Sequence, residues 1–181
     1  MAHLTGSVEY ALHCLLWLVD AGTPASSRDL AELQGISPSL LAKILPRLEK
    51  AGLVESIGGV SGGYRLARPA TAISFLDVVD AIEGDKPLFD CQEIRTRCAV
   101  FGERAPAWAT RGVCGIHAVM LEAEQAMRGA LAARSLADVH AAVARKAPAA
   151  FEAEVRGWLE RRHAARGAGR RRTRGAPDRI P

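Results

Sequence analysis

Three of the four cysteines fall in one stretch without helical periodicity: Cys91, Cys98 and Cys114. Thiolates are soft ligands, so cysteines gathered in an irregular loop suit an iron–sulfur cluster or zinc. His117 follows Cys114 at C-x-x-H spacing and is a possible fourth ligand. The spacing matches no standard zinc finger, and the same cysteines could instead be redox-active thiols or play no part in the chemistry.

A second group with ligand chemistry lies near the N-terminus. Glu9 and His13 are four residues apart within residues 7–21, whose apolar residues recur with a helical period. Side chains at that spacing share one helix face, so the pair could bind one metal or cluster, or could be an ordinary solvated pair. Cys14 falls beside the apolar stripe, and we expect it to be buried.

The elements that must position these residues begin with a winged helix-turn-helix between Ser26 and Arg68. Ser26 suits a helix N-cap, Gly35 suits a turn with positive φ, and Pro38 suits the first position of the next helix. A Gly-rich hairpin follows. This order of elements inserts one helix into the major groove of DNA, although the module could also serve protein contacts.

Within this module, Leu53–Ile57 and Gly63–Leu66 are the strand candidates of the wing. Pro46 lies inside the second helix at a cost of about 3 kcal/mol, which predicts a kink or a break near Leu45. Polar side chains on the outer faces of the module are the candidate DNA contacts: Arg28, Ser37, Ser39, Lys43, Arg47, Ser61, Tyr64 and Arg65.

The pattern divides the chain into four parts. Residues 1–84 hold the winged helix-turn-helix, residues 85–116 the cysteine-bearing loop, residues 117–165 a long helix with further helices, and residues 166–181 a basic tail. The long helix carries an apolar seam and predicts a dimerisation helix. The fold class is therefore mainly α with a small β wing.

Charge is concentrated at the C-terminal end. The net charge is +4, but residues 166–181 hold six arginines and one aspartate, and the other 165 residues sum to −1. The tail lacks apolar residues and predicts disorder; it could add sequence-independent phosphate contacts or simply aid solubility. With no signal peptide or membrane-length apolar run, a cytoplasmic protein without structural disulfides is expected.

The segments GGVSGGYRLARP and ISFLDVVDAIEG, followed by the cysteine loop, resemble the Rrf-two family of winged-helix regulators over roughly residues 1–165. That resemblance implies a homodimer on a palindromic double-stranded DNA operator. The segments SVEYALHC and FDCQEIRTRC are most similar to an actinomycete redox-sensor branch. Its [2Fe–2S] cluster is held by two cysteines of one subunit and by a glutamate and a histidine from the partner's first helix.

The resemblance implies that Glu9 and His13 are cluster ligands. Cys91 matches the first loop cysteine of that branch and Cys114 the last, whereas Cys98 departs from it. As the middle cysteine, Cys98 is best placed to replace the shifted one. We therefore favour Cys98 and Cys114, with Cys91 and His117 as alternates. In the iron–sulfur assembly branch three cysteines and a histidine bind instead, which the loop also resembles with stretched spacing.

The sequence thus predicts a DNA-binding transcriptional regulator that senses redox state through an iron–sulfur cluster. The alternatives are a cluster-free or thiol-switch regulator of the same fold, and a zinc-bearing winged-helix module for protein interaction. No Ser–His–Asp order, phosphate loop or paired catalytic carboxylates stands out, so an enzyme is not expected.

Overall fold

The computed structural model describes residues 4–84 and 86–174, and for residues 169–174 only the course of the helix. Its helices are α1 (Gly6–Leu18), α2 (Ser27–Gln34), α3 (Pro38–Lys50), α4 (Phe75–Glu83), α5 (Ala107–Thr110), α6 (Gly115–Ala132), α7 (Leu136–Ala144) and α8 (Phe151–Arg174). Strands β1 (Val54–Ile57) and β2 (Gly63–Leu66) pair antiparallel, and 3-10 turns span Ala70–Ala72, Ile94–Arg97 and Ala99–Phe101. The mainly α fold with a small wing is confirmed.

Local signals set the helix-turn-helix as predicted. The Ser26 hydroxyl accepts a hydrogen bond from the Asp29 N–H at 3.1 Å and caps α2. Gly35 adopts φ 65° in the turn before α3. The expected break in α3 near Leu45 is wrong, because the helix runs without interruption through Pro46. Leu45 and Leu48 are fully buried on either side of the proline. Burial of each leucine is worth about 1.5–3 kcal/mol, which offsets the lost hydrogen bond.

The wing is fastened to the segment that precedes α2. Tyr64 donates its N–H to the Ala25 carbonyl at 2.8 Å and accepts the Ala25 N–H at 3.0 Å. A Cβ on Gly63 would lie 2.5 Å from the Ala25 carbonyl oxygen, so only glycine allows this approach. The wing and the helix-turn-helix therefore form one unit.

Helix α1 lies at the centre of the core and contacts α2, α3, α4, α7 and β2. Cys14 on α1 is fully buried, which confirms its expected role as a small core residue. The largest fully buried side chains around it are Leu15, Leu30, Leu41, Leu45, Leu48, Leu53, Ile73, Leu136 and Leu159.

Two capping boxes begin the helices where the head meets its neighbours. Ser74 with Asp77 begins α4, and Ser135 with Asp138 begins α7. The segments meet side by side, since the Leu136 N–H donates to the Ile73 carbonyl at 2.9 Å. The end of α6 is thereby held against the start of α4.

The basic tail predicted from residue 166 begins inside a helix, because α8 continues to Arg174. The physical reason is that Arg166 finds partners on the body of the protein, the Asp29 carboxylate and the Gly62 carbonyl. Residues 175–181 lie outside the described part of the chain. Within the described ranges, no helix is long and apolar enough to cross a bilayer.

Candidate DNA interface and metal-binding residues

The outer face of α3 is open for binding. Ser39 and Lys43 are both exposed there, and the hydroxyls of Ser37 and Ser39 lie 2.7 Å apart at the start of the helix. Arg28 is exposed in the first turn of α2. These four residues bring one positive, hydrogen-bonding surface to the end of the helix-turn-helix, where a duplex is read.

Arg47 stands apart from this set. Its Nη1 donates to the Ile82 carbonyl at 2.8 Å, in the last turn of α4. Cations at a helix C-terminus satisfy its free carbonyls and complement its dipole. Arg47 therefore joins α3 to α4, and we leave it out of the proposed DNA interface.

The wing presents Arg65, whose Nε lies 2.5 Å from Glu55 Oε1 on the paired strand. The two side chains are 60% and 45% exposed, so this ion pair is weak and Arg65 can exchange it for a phosphate. Tyr64 is half-buried, and burial is the main cause that raises its pKa. Ser61 is half-buried and lies close to Gly167 of α8.

Glu9 and His13 are exposed on the same side of α1. They line one open groove together with apolar side chains of α1, α4 and α7, among them Leu12, Phe75 and Val143. Polar ligand groups thus sit on an apolar surface. The structure places both residues as the helical spacing predicts.

The cysteine loop is organised around Arg95. Its Nε lies 2.7 Å from Glu93 Oε2, and its Nη2 donates to the Gly112 carbonyl at 2.6 Å. The thiols of Cys91 and Cys114 are near enough to act on the charge of this guanidinium. One arginine therefore joins Glu93, two residues after Cys91, to Gly112, two residues before Cys114.

The three loop cysteines differ in environment. Cys114 is the N-cap of α6, and the N–H groups of His117 and Ile116 lower the pKa of its thiol, with a further contribution from the Arg95 charge. Cys91 is half-buried, with its Sγ 3.9 Å from a Glu93 carboxylate oxygen. Cys98 is exposed at the junction of two 3-10 turns. Cys114 thus has surroundings that favour its thiolate, and Cys91 is less exposed than Cys98.

His117 is held in another way. Its ring lies 6.1 Å from the ring of Phe89, centroid to centroid, in a tilted arrangement. Its backbone N–H is directed to Cys114. The ring of His117 thus has a packing role next to the loop.

A bound cofactor must match the ligand atoms that the side chains supply. Among the described residues, no three His, Cys, Asp or Glu side chains converge on a possible metal position. Glu9 and His13 lie together on one exposed face of α1, and Cys91 and Cys114 lie in the loop and at the start of α6. Two thiolates, one imidazole and one carboxylate supply four ligands of suitable chemistry for a [2Fe–2S] cluster once two chains face each other.

The surface of α6 makes such a pairing plausible in physical terms. This 18-residue helix has no buried residue, and Ile116 and Val119 are 63% and 62% exposed. Contiguous exposed apolar side chains on a soluble protein mark an interaction surface.

Sequence reasoning missed two features of the site. The first is Arg95, which the loop order Cys91-x-Glu93-x-Arg95 contains. A cation placed between cysteines is the sequence signal that could have identified it. The contact of Asp29 with Arg162 and Arg166 had no such signal, because Asp29 reads locally as a capping residue.

The sequence profile of the Rrf2 family, described as "Iron-dependent Transcriptional regulator", matches residues 4–142. A candidate HTH-type transcriptional regulator of Mycobacterium tuberculosis is 42% identical over 93 residues, which are 50% of this chain and 56% of that protein. The protein rrf2 of Nitratidesulfovibrio vulgaris is 36% identical over 138 residues, 75% of this chain and 85% of that protein. The solved structure of T. potens IscR superimposes with a TM-score of 0.56 at 25% identity, covering 76% of this chain and 85% of that one. The chain thus spans little more than half of the mycobacterial relative and most of the other two.

Proposed function

The chain belongs to the Rrf2 family, and from that premise we propose that it is a DNA-binding transcriptional regulator. It acts as a homodimer on a palindromic operator and senses redox state through a [2Fe–2S] cluster. The observation that supports the sensing role is that one chain carries its candidate ligands in two separate groups. Exposed Glu9 and His13 form one half, and two cysteines around Arg95 form the other.

DNA binding is supported by the open face of the winged helix-turn-helix. Ser39 and Lys43 of α3 enter the major groove in this proposal, and Arg65 of the wing contacts the backbone or the minor groove. Arg28 and Ser37 meet phosphates beside the start of the helices. Two heads related by a dimer axis would read two half-sites about one helical turn apart.

Dimerisation is supported by α6, which has no buried residue within its own chain. Its exposed valine, isoleucine and leucine side chains need a partner to leave water. An antiparallel or crossed pair of α6 helices would bury them. The groove beside Glu9 and His13 is apolar as well, so the same association covers both surfaces.

We assign the cluster to Cys91 and Cys114 of one subunit and to Glu9 and His13 of the partner subunit. This changes the cysteine pair that we favoured on sequence, Cys98 with Cys114, because Cys91 Sγ lies 3.9 Å from Glu93 Oε1, and Arg95 joins Glu93 to the Gly112 carbonyl, two residues before Cys114. The N–H groups at the start of α6 and, to a lesser extent, the Arg95 charge lower the pKa of the Cys114 thiol, and the thiolate is the form that binds iron. A cluster bound there supplies one-electron redox chemistry.

The residues that hold the cofactor are connected to the DNA-reading helix through α1. Helix α1 packs directly on α2 and α3 through buried residues such as Cys14 and Leu15. A change in the position of Glu9 or His13 therefore moves a helix on which the recognition helix rests.

The test is to purify the protein without oxygen and to measure its visible absorbance, iron and acid-labile sulfide. Cys91→Ser, Cys114→Ser, Glu9→Ala and His13→Ala should each lower iron content and change the spectrum. Cys98→Ser and His117→Ala are the matched controls and should keep both. Loss of iron in Cys98→Ser with retention in Cys91→Ser would restore the pair favoured on sequence. Retention in His13→Ala with loss in His117→Ala would replace the bridged site by three loop cysteines and His117.

A thiol switch is the second candidate function. The observation that favours it is the lowered pKa of the Cys114 thiol beside an exposed Cys98 in the same loop. Such a regulator would bind no iron under any purification condition. Its operator affinity would change on oxidation and return with dithiothreitol, and mass spectrometry would find a disulfide.

A further inference from the structure

The C-terminal helix α8 lies against the DNA-reading half of the molecule. Leu159 is buried, and the rings of Phe151 and Trp17 meet edge to face with centroids 6.2 Å apart. Farther along, Arg162 and Arg166 form ion pairs with Asp29 in the first turn of α2. The helix is thus anchored along its length by apolar contacts and then by charge.

Asp29 makes this anchor strong. It is only 5% exposed and is the one charged residue buried in the described part of the chain. A buried carboxylate needs a close cation and hydrogen bonds, and loss of its partner leaves an uncompensated charge. Arg166 supplies the cation, and the Ser26 hydroxyl donates to the same carboxylate at 2.6 Å.

The helix then reaches the wing. Arg166 Nη2 donates to the Pro24 carbonyl at 3.1 Å and to the Gly62 carbonyl at 3.4 Å. A Cβ on Gly167 would lie 3.0 Å from Ser61 Oγ, so the helix backbone passes close to the wing loop. The wing loop is where the proposed function places the DNA backbone.

Beyond Gly167 the chain stays helical to Arg174. Seven residues advance a helix by about 10 Å. This segment contains four arginines and no acidic residue.

We propose that residues 168–174 of α8 form a third DNA-contact element that binds the phosphodiester backbone beside the wing. The proposal rests on the proposed function, since the helix lies next to a duplex only if α3 and the wing face DNA. Helix α8 falls outside the family match at residues 4–142, so the contact is a property of this chain. Arginine–phosphate contacts supply affinity for any sequence and make it salt-dependent.

The anchor distinguishes this arm from a loose basic tail. A segment that is already ordered loses less conformational entropy when it binds. The contacts of Arg166 with Asp29 and Gly62 hold the arm at the wing before DNA arrives. Weakening the anchor should therefore weaken DNA binding even when every distal arginine is kept.

The first experiment uses the full-length protein and fluorescence anisotropy with a random-sequence duplex over a salt series. Replacing Arg170, Arg171, Arg172 and Arg174 with glutamine should lower affinity by about 10- to 100-fold at low salt. The log–log salt slope should flatten by up to about 0.9 for each lost phosphate contact. The matched control removes four exposed cations elsewhere, at Arg134, Arg145, Lys146 and Arg156, and should change the slope little. An equal loss in both variants would show a general charge effect and overturn the proposal.

The second experiment tests the anchor with Arg166→Gln, which keeps all four distal arginines. We expect a smaller loss in the same direction, with the fold checked by circular dichroism. Unchanged affinity in a folded Arg166→Gln protein would reduce the arm to an unanchored tail. Should that variant fail to fold, Arg162→Gln tests the same anchor.

A third measurement separates failure of the arm from failure of the proposed function. It is the binding of Lys43→Ala to a duplex selected from a random library. If Lys43→Ala weakens binding and the four-arginine variant does not, only the arm is refuted. If the wild-type protein binds no selected duplex at all, the proposed function itself is wrong.

Discussion

Two regions of the molecule differ in how much apolar surface they bury. They are the head, residues 4–84, and the loop with its long helix, residues 86–132. In the head, Cys14 is fully buried, and desolvation raises the pKa of its thiol to about 12. In the second region, Ala109 is the single buried residue among those described, while Val100 is 84% and Trp108 76% exposed. The same chain thus contains one region with a complete core and one whose apolar groups still face water.

The two regions therefore obtain their stability in different ways. The head buries its leucines in one continuous core, which Leu136 of α7 and Leu159 of α8 complete. The second region buries little within its own chain, and under the proposed function a second copy and the ligand of the cysteines would supply its order. Under the same proposal, a region that needs a partner and a cofactor would respond when either is altered.

The largest effect should come from a core truncation in the head. Leu48→Ala should lower the free energy of unfolding by about 2–5 kcal/mol, because Leu48 is fully buried and truncation leaves a cavity. Urea unfolding followed by circular dichroism measures it. Val100→Ala in the loop, a truncation of an exposed side chain, should cost under about 0.5 kcal/mol. Equal costs for the two variants would remove the contrast between the regions.

The second effect concerns association through α6. Val119→Asp places a charge on a 62%-exposed position of the proposed dimer surface. The dimer dissociation constant should rise at least about 10-fold, which corresponds to about 1.4 kcal/mol, while the melting temperature of the head stays within a few degrees. Sedimentation velocity over a concentration series reports the dissociation constant. A dimer as tight as that of the unmodified protein would mean that α6 serves another partner.

The smallest effect lies at the edge of the head, where the Thr5 hydroxyl donates to Glu83 Oε1 at 2.6 Å. That hydrogen bond is the main cause that lowers the pKa of Glu83 from 4.5 to about 2. Because the folded-state pKa is lowered, the stabilisation is present above pH 4.5 and is lost as pH falls toward 2. Thr5→Val should cost about 1 kcal/mol or less at neutral pH.

Thermal unfolding at several pH values checks this last expectation. The difference between Thr5→Val and the unmodified protein should shrink as pH falls from 4.5 toward 2. Ser7→Ala, an exchange of a neighbouring hydroxyl, is the matched control and should show no such convergence. A difference that is constant with pH would assign the effect of Thr5 to packing alone.

The sequence predicted the head well because its signals are local. Ser26, Ser74 and Ser135 cap helices through partners three residues away, and positive φ at Gly35 needs no distant group. The course of α8 could not be predicted in the same way. Arg166 meets Asp29 across 137 residues, and a run of arginines without apolar neighbours resembles a free tail.

The candidate site was predictable only where its residues lie on a regular helix. Helical spacing alone placed Glu9 and His13 on one exposed face. Spacing within an irregular loop carries no periodicity, so it could not decide among three cysteines. The arrangement depends on where Arg95 points, and that is set by the Gly112 carbonyl and the Glu93 carboxylate, which are tertiary contacts.

The attachment of α6 has a mechanical consequence. Arg128 binds both carboxylate oxygens of Asp80 on α4 at 2.9 Å, and the paired starts of α4 and α7 lock the end of α6 to the head. Cys114 lies about 20 Å along the helix from Arg128, so α6 is a moment arm with its pivot in the head. A displacement of about 2 Å at the Cys114 end corresponds to a rotation of about 5°, within the range of helix shifts that switching proteins use. In the proposed dimer, a stiff pivot would convert a displacement at Cys114 into a change in the angle between the two heads.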